Sequence, residues 1–417
     1  MAPYNATPST AHVPIAEIPS RDATFITRVV IENYKSIVHC DVRLGPLTFL
    51  VGRNSSGKSN FLDALHFMSD ALTQTLAGAV RVRENIAAIA RLVNGMHQAL
   101  GVRVEFMLPD GRAGSYGFEI AAHPFATPYA LHREECRIWL PGDEHAVVYF
   151  RVRDGQVESN SGPMPAALPD HLYLVNASGI ADFQDVYKAL ATMRFYQFDT
   201  GAIKRSASAG EEPVLAEDGS NLPGVLLKLA NRHPDFMQRV REYLQMVVPD
   251  LEDVYAFEFG RQYALAFKER GEAGRLSFGA EQMADGTLRA LAILLMLFQQ
   301  VPGDERPVSL MALEEPETGL HRAAMGVLRD AFGDATETTQ LLVTTHSTDL
   351  LDSKDVDAGW IRVVVSEHGA TRIGPLSAAT RSVVDDHLST AGALLRSSPL
   401  YPALGSSTPA GSSLFDE

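Results

Sequence analysis

The stretch "FLVGRNSSGKSN", Phe49 to Asn60, constrains this chain more than any other. Residues Gly52 to Ser59 fit the pattern G-x-x-x-x-G-K-[ST], and the flanks are of the right kind. The apolar run "LTFLV" before the loop reads as a buried strand, and "KSNFLDALHFMSDAL" after it reads as an amphipathic helix. A glycine-bearing loop between such a strand and helix turns main-chain N–H groups toward phosphate oxygens, and the helix N-terminus adds positive potential. Gly52, Arg53, Asn54, Ser55, Ser56, Gly57, Lys58, Ser59 and Asn60 are therefore candidate phosphate-cradling residues of a nucleotide site. Lys58 would reach the β- and γ-phosphates, and the Ser59 hydroxyl would ligate Mg²⁺.

A chain of 417 residues is long for one compact domain and suits two lobes. Its 46% hydrophobic and 21% charged residues are ordinary for a globular protein. A formal net charge of −15 argues against indiscriminate coating by nucleic acid, while leaving a local basic face open to it. Cys40 and Cys136 stand far apart without metal-ligand spacing, which fits incidental thiols in a reducing cytoplasm. The opening "MAPYNATPSTAHVPIAEIPS" lacks the basic and apolar regions of a secretory signal. The richest apolar segment, "ALAILLMLF", is too short to cross a bilayer, so no membrane is expected and the localisation reads as cytoplasmic. Residues 1–24 and 401–417, rich in Pro, Ser and Ala, read as flexible tails.

From Phe25 onward β-patterned segments lead into the loop, and "RVRENIAAIARLV" (Arg81–Val93) reads as a helix. Hairpin-like strands follow, then a helix over Ala181–Leu190 that runs into the short strand "MRFYQFD". "TGAIKRSASAGEEP" reads as a mobile polar linker, and "DGSNLPGVLLKLANRHPDFMQRVREYLQMVV" as two helices broken near His233–Pro234. The remainder alternates strand and helix through "VSLMAL", "GLHRAAMGVLRDAF", "TTQLLVTTH", "STDLLDS" and "WIRVVVSE". That alternation implies an α/β fold, a mixed or parallel sheet with crossover helices.

"VSLMALEEPETGLH" is the second informative stretch. A buried strand ends in Glu314 and Glu315, and neighbouring strand residues point opposite ways, so the pair can divide two tasks. Glu314 would hold Mg²⁺, and Glu315 would orient or deprotonate an attacking water. A carboxylate that closes an apolar run is costly unless it has a cation. "LLVTTHS" ends another buried strand at His346, placed to sense a γ-phosphate by a hydrogen bond. In "EQMADGTLRALA", Asp285 and Gly286 open an apolar helix whose N-terminus is a second phosphate site. One chain cannot easily apply both sites to one phosphate chain, so the natural use is across a dimer.

Taken together, these motifs resemble the ABC-type ATPases of the SMC/RecF/OLD group, with an AAA-type core of the AAA_21 kind, over about Phe25 to Leu400. "IENYKSI" looks like that group's opening strand, "GRNSSGKS" its Walker A, "MADGTLR" its signature, "LEEPETGLH" its Walker B and D-loop, and "TTHS" its H-loop. The resemblance implies an ABC-type P-loop NTPase. Its N-terminal ATPase lobe would span 25–200 with an antiparallel β subdomain, a linker and helical lobe 201–284, and a C-terminal ATPase lobe 285–400. It implies ATP and Mg²⁺ as ligands, and a homodimer in which Ala284, Asp285, Gly286 and Thr287 face the partner's nucleotide, beside the D-loop residues Gly319, Leu320 and His321. By analogy Gln197 would be the Q-loop residue on Mg²⁺, with Gln184 as the alternative.

One departure stands out: Ala284 replaces the family's signature serine, so hydrolysis is expected to be slow. Only about seventy residues follow His346, too few for the Toprim nuclease of OLD proteins, and the coiled coils of SMC proteins are missing too. Asp385 and Asp386 read as helix-start or surface acids. The expected function is an ATPase that gates a separate nuclease or toxin-like effector, as in antiphage defence. The alternatives are a RecF-like DNA-binding ATPase of repair, using Arg81, Arg83, Arg91, Lys204, Arg205, Arg239 and Arg241 as its basic face, and a nucleotide-bound scaffold with negligible turnover.

Overall fold

The computed structural model describes residues 24–122, 129–140, 147–168, 170–208, 214–271, 274–300, 308–403 and 414–415. Among these, a thirteen-stranded mixed sheet runs through the molecule. One half is antiparallel: strands Gln156–Ser159, Val147–Arg153, Tyr129–Trp139, Ala113–Ala122, Leu100–Met107, Phe25–Tyr34 and Ile37–Arg43 lie side by side in that order. The order continues through Ala370–Pro375, Ile361–Glu367, Leu47–Val51, Leu341–Thr345, Met311–Glu314 and Arg194–Tyr196. In this second half Ile361–Glu367, Leu47–Val51, Leu341–Thr345, Met311–Glu314 and Arg194–Tyr196 run parallel to one another.

Every residue of Leu47–Val51 and of Leu341–Thr345 is buried, which is why both strands are continuous apolar runs with a few threonines rather than alternating patterns. Period-two geometry then divides their side chains between two cores. Leu47, Phe49 and Val51 join Leu341, Val343, Met311 and Leu313 against helix Asp285–Phe298 and helix Ala324–Ala335. Leu50, Leu342 and Ala312 face the opposite way, onto helix Lys58–Thr73 and the antiparallel strands. The helical lobe consists of Leu222–Arg232 and Pro234–Val247 with a small sheet of Ala207–Ser208, Leu251–Phe259, Gln262–Gly271 and Gly274–Gly279.

Several expectations need correction. The helix read over Arg81–Val93 is broken: Leu76–Val82 is capped by Arg83 and followed by Glu84, whose φ is 71°, before a short turn of helix at Ile86–Ile89 and a strand at Leu92–Val93. Arg83 causes the break by turning inward, where it meets Asp63 at 2.7 Å and Asp70 at 2.8 Å. The polar linker holds a helix, Thr200–Lys204, capped by Asp199, and a strand at Ala207–Ser208, with 209–213 outside the described residues. "STDLLDS" forms turns rather than a helix, and the helix after the acid pair starts only at Ala324. Asp385 and Asp386 are exposed at the end of helix Ala378–Asp385, not at a helix start. The N-terminal tail lies outside the described residues save for Thr24, which is buried. Of 401–417, the described residues are held: Pro402 bridges Leu376, Ala403 N–H donates to Pro375, and Leu414 and Phe415 are buried.

Candidate nucleotide site

Parallel register delivers the candidate residues to one place. Leu50, Thr344 and Glu314 are Cα partners across three strands, and Leu313 pairs with Tyr196. All four strands point the same way, so their C-terminal ends release Gly52, His346, Glu315 and Gln197 at one edge of the sheet. Ligands of open α/β sheets bind at such an edge.

The loop itself is shaped by two glycines. Gly57 has φ of 105°, and a Cβ there would lie 2.0 Å from Thr371 Oγ1; a Cβ on Gly52 would lie 2.2 Å from the Val364 carbonyl oxygen. Neighbouring strands thus press the loop tight, and only glycine fits at either point. Thr371 Oγ1 donates to the Ser56 carbonyl at 3.0 Å and meets Ser36 Oγ at 2.7 Å, and Asn60 donates to Ser36 at 2.6 Å. Sequence reasoning missed this brace, because Ser36 and Thr371 stand 335 positions apart with no motif to join them. Among the described residues, the main-chain N–H groups of Asn54, Gly57, Lys58 and Ser59 donate to no protein acceptor. The buried Ser56 Oγ has no partner either. Unpaired donors converging at a helix N-terminus fit a phosphate chain.

Lys58 is buried, and its Nζ donates to the carbonyls of Gly52 at 2.9 Å and Arg53 at 3.2 Å. Burial lowers its pKa, partly offset by Glu315, Glu317 and Glu314. Ser59 Oγ donates to Glu314 Oε2 at 2.9 Å. Burial raises the Glu314 pKa, with Ser59 opposing and Glu315 adding to the rise. A carboxylate and a hydroxyl in contact at the strand end form an oxygen donor set of the kind Mg²⁺ prefers, so the residues present fit that ion.

Glu315 departs from strand geometry. Its φ of 42° is left-handed, and its N–H donates to the Thr344 carbonyl at 3.1 Å. This twist, rather than simple strand alternation, carries its carboxylate to 3.8 Å from Lys58 Nζ and 3.5 Å from His346 Nδ1. A non-glycine residue in that region marks strain held by its surroundings. Glu317, which the sequence marks only as part of its motif, organises the loop after Thr345. Its Oε1 accepts from Thr345 Oγ1 at 2.8 Å, His346 N–H at 2.9 Å and Ser347 N–H at 3.2 Å, and lies 3.2 Å from His346 Nδ1. The carboxylate is 9% exposed, and its Oε2 is buried without a partner.

Gln197 lines a cavity of about 240 Å³ together with Glu314, His66, Glu217 and Asp218. Gln184 is exposed on helix Ala181–Ala191 and does not line it. His66, also unforeseen, stacks on Phe195 at 4.6 Å and reaches Glu217 at 3.2 Å.

The signature residues form a separate group. Ala284 is the N-cap of helix Asp285–Phe298 and offers no side-chain cap. Asp285 pairs with Lys204 at 2.5 Å, and that hydrogen bond lowers its pKa. Thr287 is buried. A Cβ on Gly286 would lie 2.6 Å from the Gly319 carbonyl oxygen, so the signature helix abuts the turn carrying Gly319, Leu320 and His321. Among the described residues, no hydrogen bond or ion pair joins Ala284–Thr287 to the loop 52–59. The proposed basic face is largely consumed: Arg83, Lys204, Arg239 and Arg241 pair with acids, and Arg91 donates to the Ser36 carbonyl.

A mixed sheet with a phosphate loop, an acid pair and a histidine at its parallel edge defines a P-loop ATPase core of ABC type, like that of SMC heads. The chain belongs to the family described as "AAA domain, putative AbiEii toxin, Type IV TA system" (AAA_21), which matches residues 47–352. No curated protein sequence matches it. Among solved structures it is similar to an Smc head bound to the C-winged helix domain of ScpA, with TM-score 0.53 and 15% identity over 85% of this chain and 99% of that one. An Smc head with an extended coiled coil from Pyrococcus furiosus, bound to the C-terminal domain of ScpA, gives 0.51 and 13% over 88% and 99%. One with a coiled coil and joint from Pyrococcus yayanosii gives 0.50 and 11% over 88% and 100%. Among the described residues no helix is long and apolar enough to cross a membrane.

Proposed function

We propose that the protein binds and slowly hydrolyses ATP, that two copies close around two nucleotides, and that this closure gates a separate effector. The observation that carries the reading is the division of the acid pair: Glu314 touches Ser59, while Glu315 lies between Lys58 and His346. Lys58 would shift from the loop carbonyls to the phosphates of the substrate. Ser59, Glu314 and Gln197 would hold Mg²⁺, which when bound neutralises phosphate charge. Glu315 would accept the proton of the attacking water, and His346, steadied by Glu317, would donate to the γ-phosphate. Dimerisation is supported by the separation of the signature helix from the loop of the same chain, which leaves its N-terminus available to a partner's nucleotide.

The family description names a putative toxin of a toxin–antitoxin system, which favours a role in defence. DNA repair is less favoured, since most of the arginines and lysines offered for it are paired internally. Glu315→Gln should keep ATP binding, abolish multiple turnover and accumulate an ATP-bound dimer, read by size-exclusion chromatography with light scattering. Wild-type turnover in that variant would remove the proposed base.

A further inference from the structure

The solvent-facing side of the antiparallel sheet carries a feature unrelated to the nucleotide site. Strand register places Val30 and Arg103 as partners, and Arg103 opposite Gly117. One row along, Glu32 pairs with Gly101, Gly101 with Glu119, and Glu119 with Arg133. The face is therefore strongly charged, and Gly101 cuts a notch into it, while Gly117 gives room to Arg103. Glycine within a strand weakens it and marks a place where another group approaches closely.

Leu414 fills that notch. A Cβ on Gly101 would lie 2.4 Å from Leu414 Cδ2. Leu414 and Phe415 are only 3% and 4% exposed, and they form a small apolar cluster with Val30, distinct from the two main cores. Arg103 donates to the Leu414 carbonyl at 3.1 Å. The Arg133 guanidinium lies 4.1 Å from the centroid of the Phe415 ring, a cation–π contact, and its buried Nε has no hydrogen-bond partner.

We propose that this notch is a peptide-binding site for a Leu-Phe pair, and that the chain's own Leu414–Phe415 segment occupies it as a detachable plug. Main-chain capture by Arg103, an apolar notch and an aromatic ring under Arg133 supply affinity and sequence preference together. Ten residues separate Phe415's partner Leu414 from Ala403, the last described residue before it.

The test uses a fluorescent peptide of residues 412–417 and a shortened chain of residues 1–403. The peptide should bind the shortened chain saturably in fluorescence anisotropy, and the full-length chain at least about ten-fold more weakly. Phe415→Ala in the peptide should weaken binding about ten- to a hundred-fold. Gly101→Val in the shortened chain should abolish binding while thermal unfolding and nucleotide binding stay unchanged. If the shortened chain does not fold, full-length Leu414→Ala/Phe415→Ala serves as the unplugged form. Absence of saturable binding to a folded unplugged chain, equal binding to plugged and unplugged chains, or indifference to Phe415→Ala would each overturn the assignment.

Discussion

Lys58 sits buried with its ammonium on two loop carbonyls, a position it must leave when a phosphate chain arrives. Lys58→Ala should therefore lower ATP affinity by roughly ten- to a hundred-fold or more, the equivalent of a lost charge-assisted hydrogen bond. The melting temperature should not fall, because burial disfavours the charged form of the lysine. Isothermal titration and thermal unfolding check both halves. Glu317 is the opposite kind of residue, fixed rather than mobile, with three donors on one oxygen. Glu317→Ala should destabilise the protein by about 1–3 kcal/mol and slow turnover, because the loop bearing His346 loses its anchor. Glu317→Gln keeps an acceptor and should restore the melting temperature but not the rate. Equal melting temperatures for the alanine variant and wild type would show that the anchor is dispensable.

At the scale of single elements, the helix that starts at Asp285 is the decisive one. Its N-terminal N–H groups and dipole remain, but Ala284 supplies no hydroxyl. Thr287, the hydroxyl three positions on, is only 8% exposed within the chain. Under the dimer reading, Ala284→Ser should raise kcat by roughly ten-fold or more, or tighten the ATP-bound dimer, if the new bond forms mainly in the transition state. Steady-state ATPase rates and light scattering with ATP measure this, and unchanged values in both would show that the serine is not limiting. The same helix shows what was legible locally. "MADGT" announced a helix start, and Asp285–Phe298 begins there. "STDLLDS" carried a helical pattern but lies between two structural demands. Glu317 holds its first residue, and Gly392, whose Cβ would lie 2.1 Å from the Thr348 carbonyl oxygen and 2.8 Å from Asp352 N, packs against it near both ends.

On the scale of the whole molecule, one buried carboxyl couples the antiparallel strands to the helical segment beside them. Glu134 on strand Tyr129–Trp139 accepts from Tyr173 N–H at 2.5 Å, Leu174 N–H at 2.8 Å and Tyr116 Oη at 2.9 Å. Burial pushes its pKa up from 4.5 to about 7, against those three hydrogen bonds. The folded state thus holds this proton more tightly than the unfolded chain. The resulting stability is complete below about pH 4.5 and is lost as pH rises through about 7, a change of roughly 3 kcal/mol at most. Glu134→Gln, permanently neutral, should flatten that part of the melting-temperature profile between pH 5 and about 8. A wild-type slope that survives the substitution would assign it to another group.

What the sequence determined by itself was the chemistry and its local scaffolds. The loop 52–59, the acid pair at 314–315, the histidine at 346 and the helix at 285 follow from spacing, apolar runs and glycines, all short-range information. What only the tertiary structure decided was how those pieces meet. Four parallel strands, contributed from positions 47, 194, 311 and 341 onward, bring the loop, Gln197, the acid pair and the histidine to one edge, and strand order is a matter of long-range packing. The left-handed turn at Glu315, the brace of Ser36 and Thr371, and the anchoring by Glu317 belong to that level as well. So does the seat of Leu414 and Phe415, since a two-residue apolar segment carries no periodicity and finds its place only when strands distant in sequence form the notch that receives it.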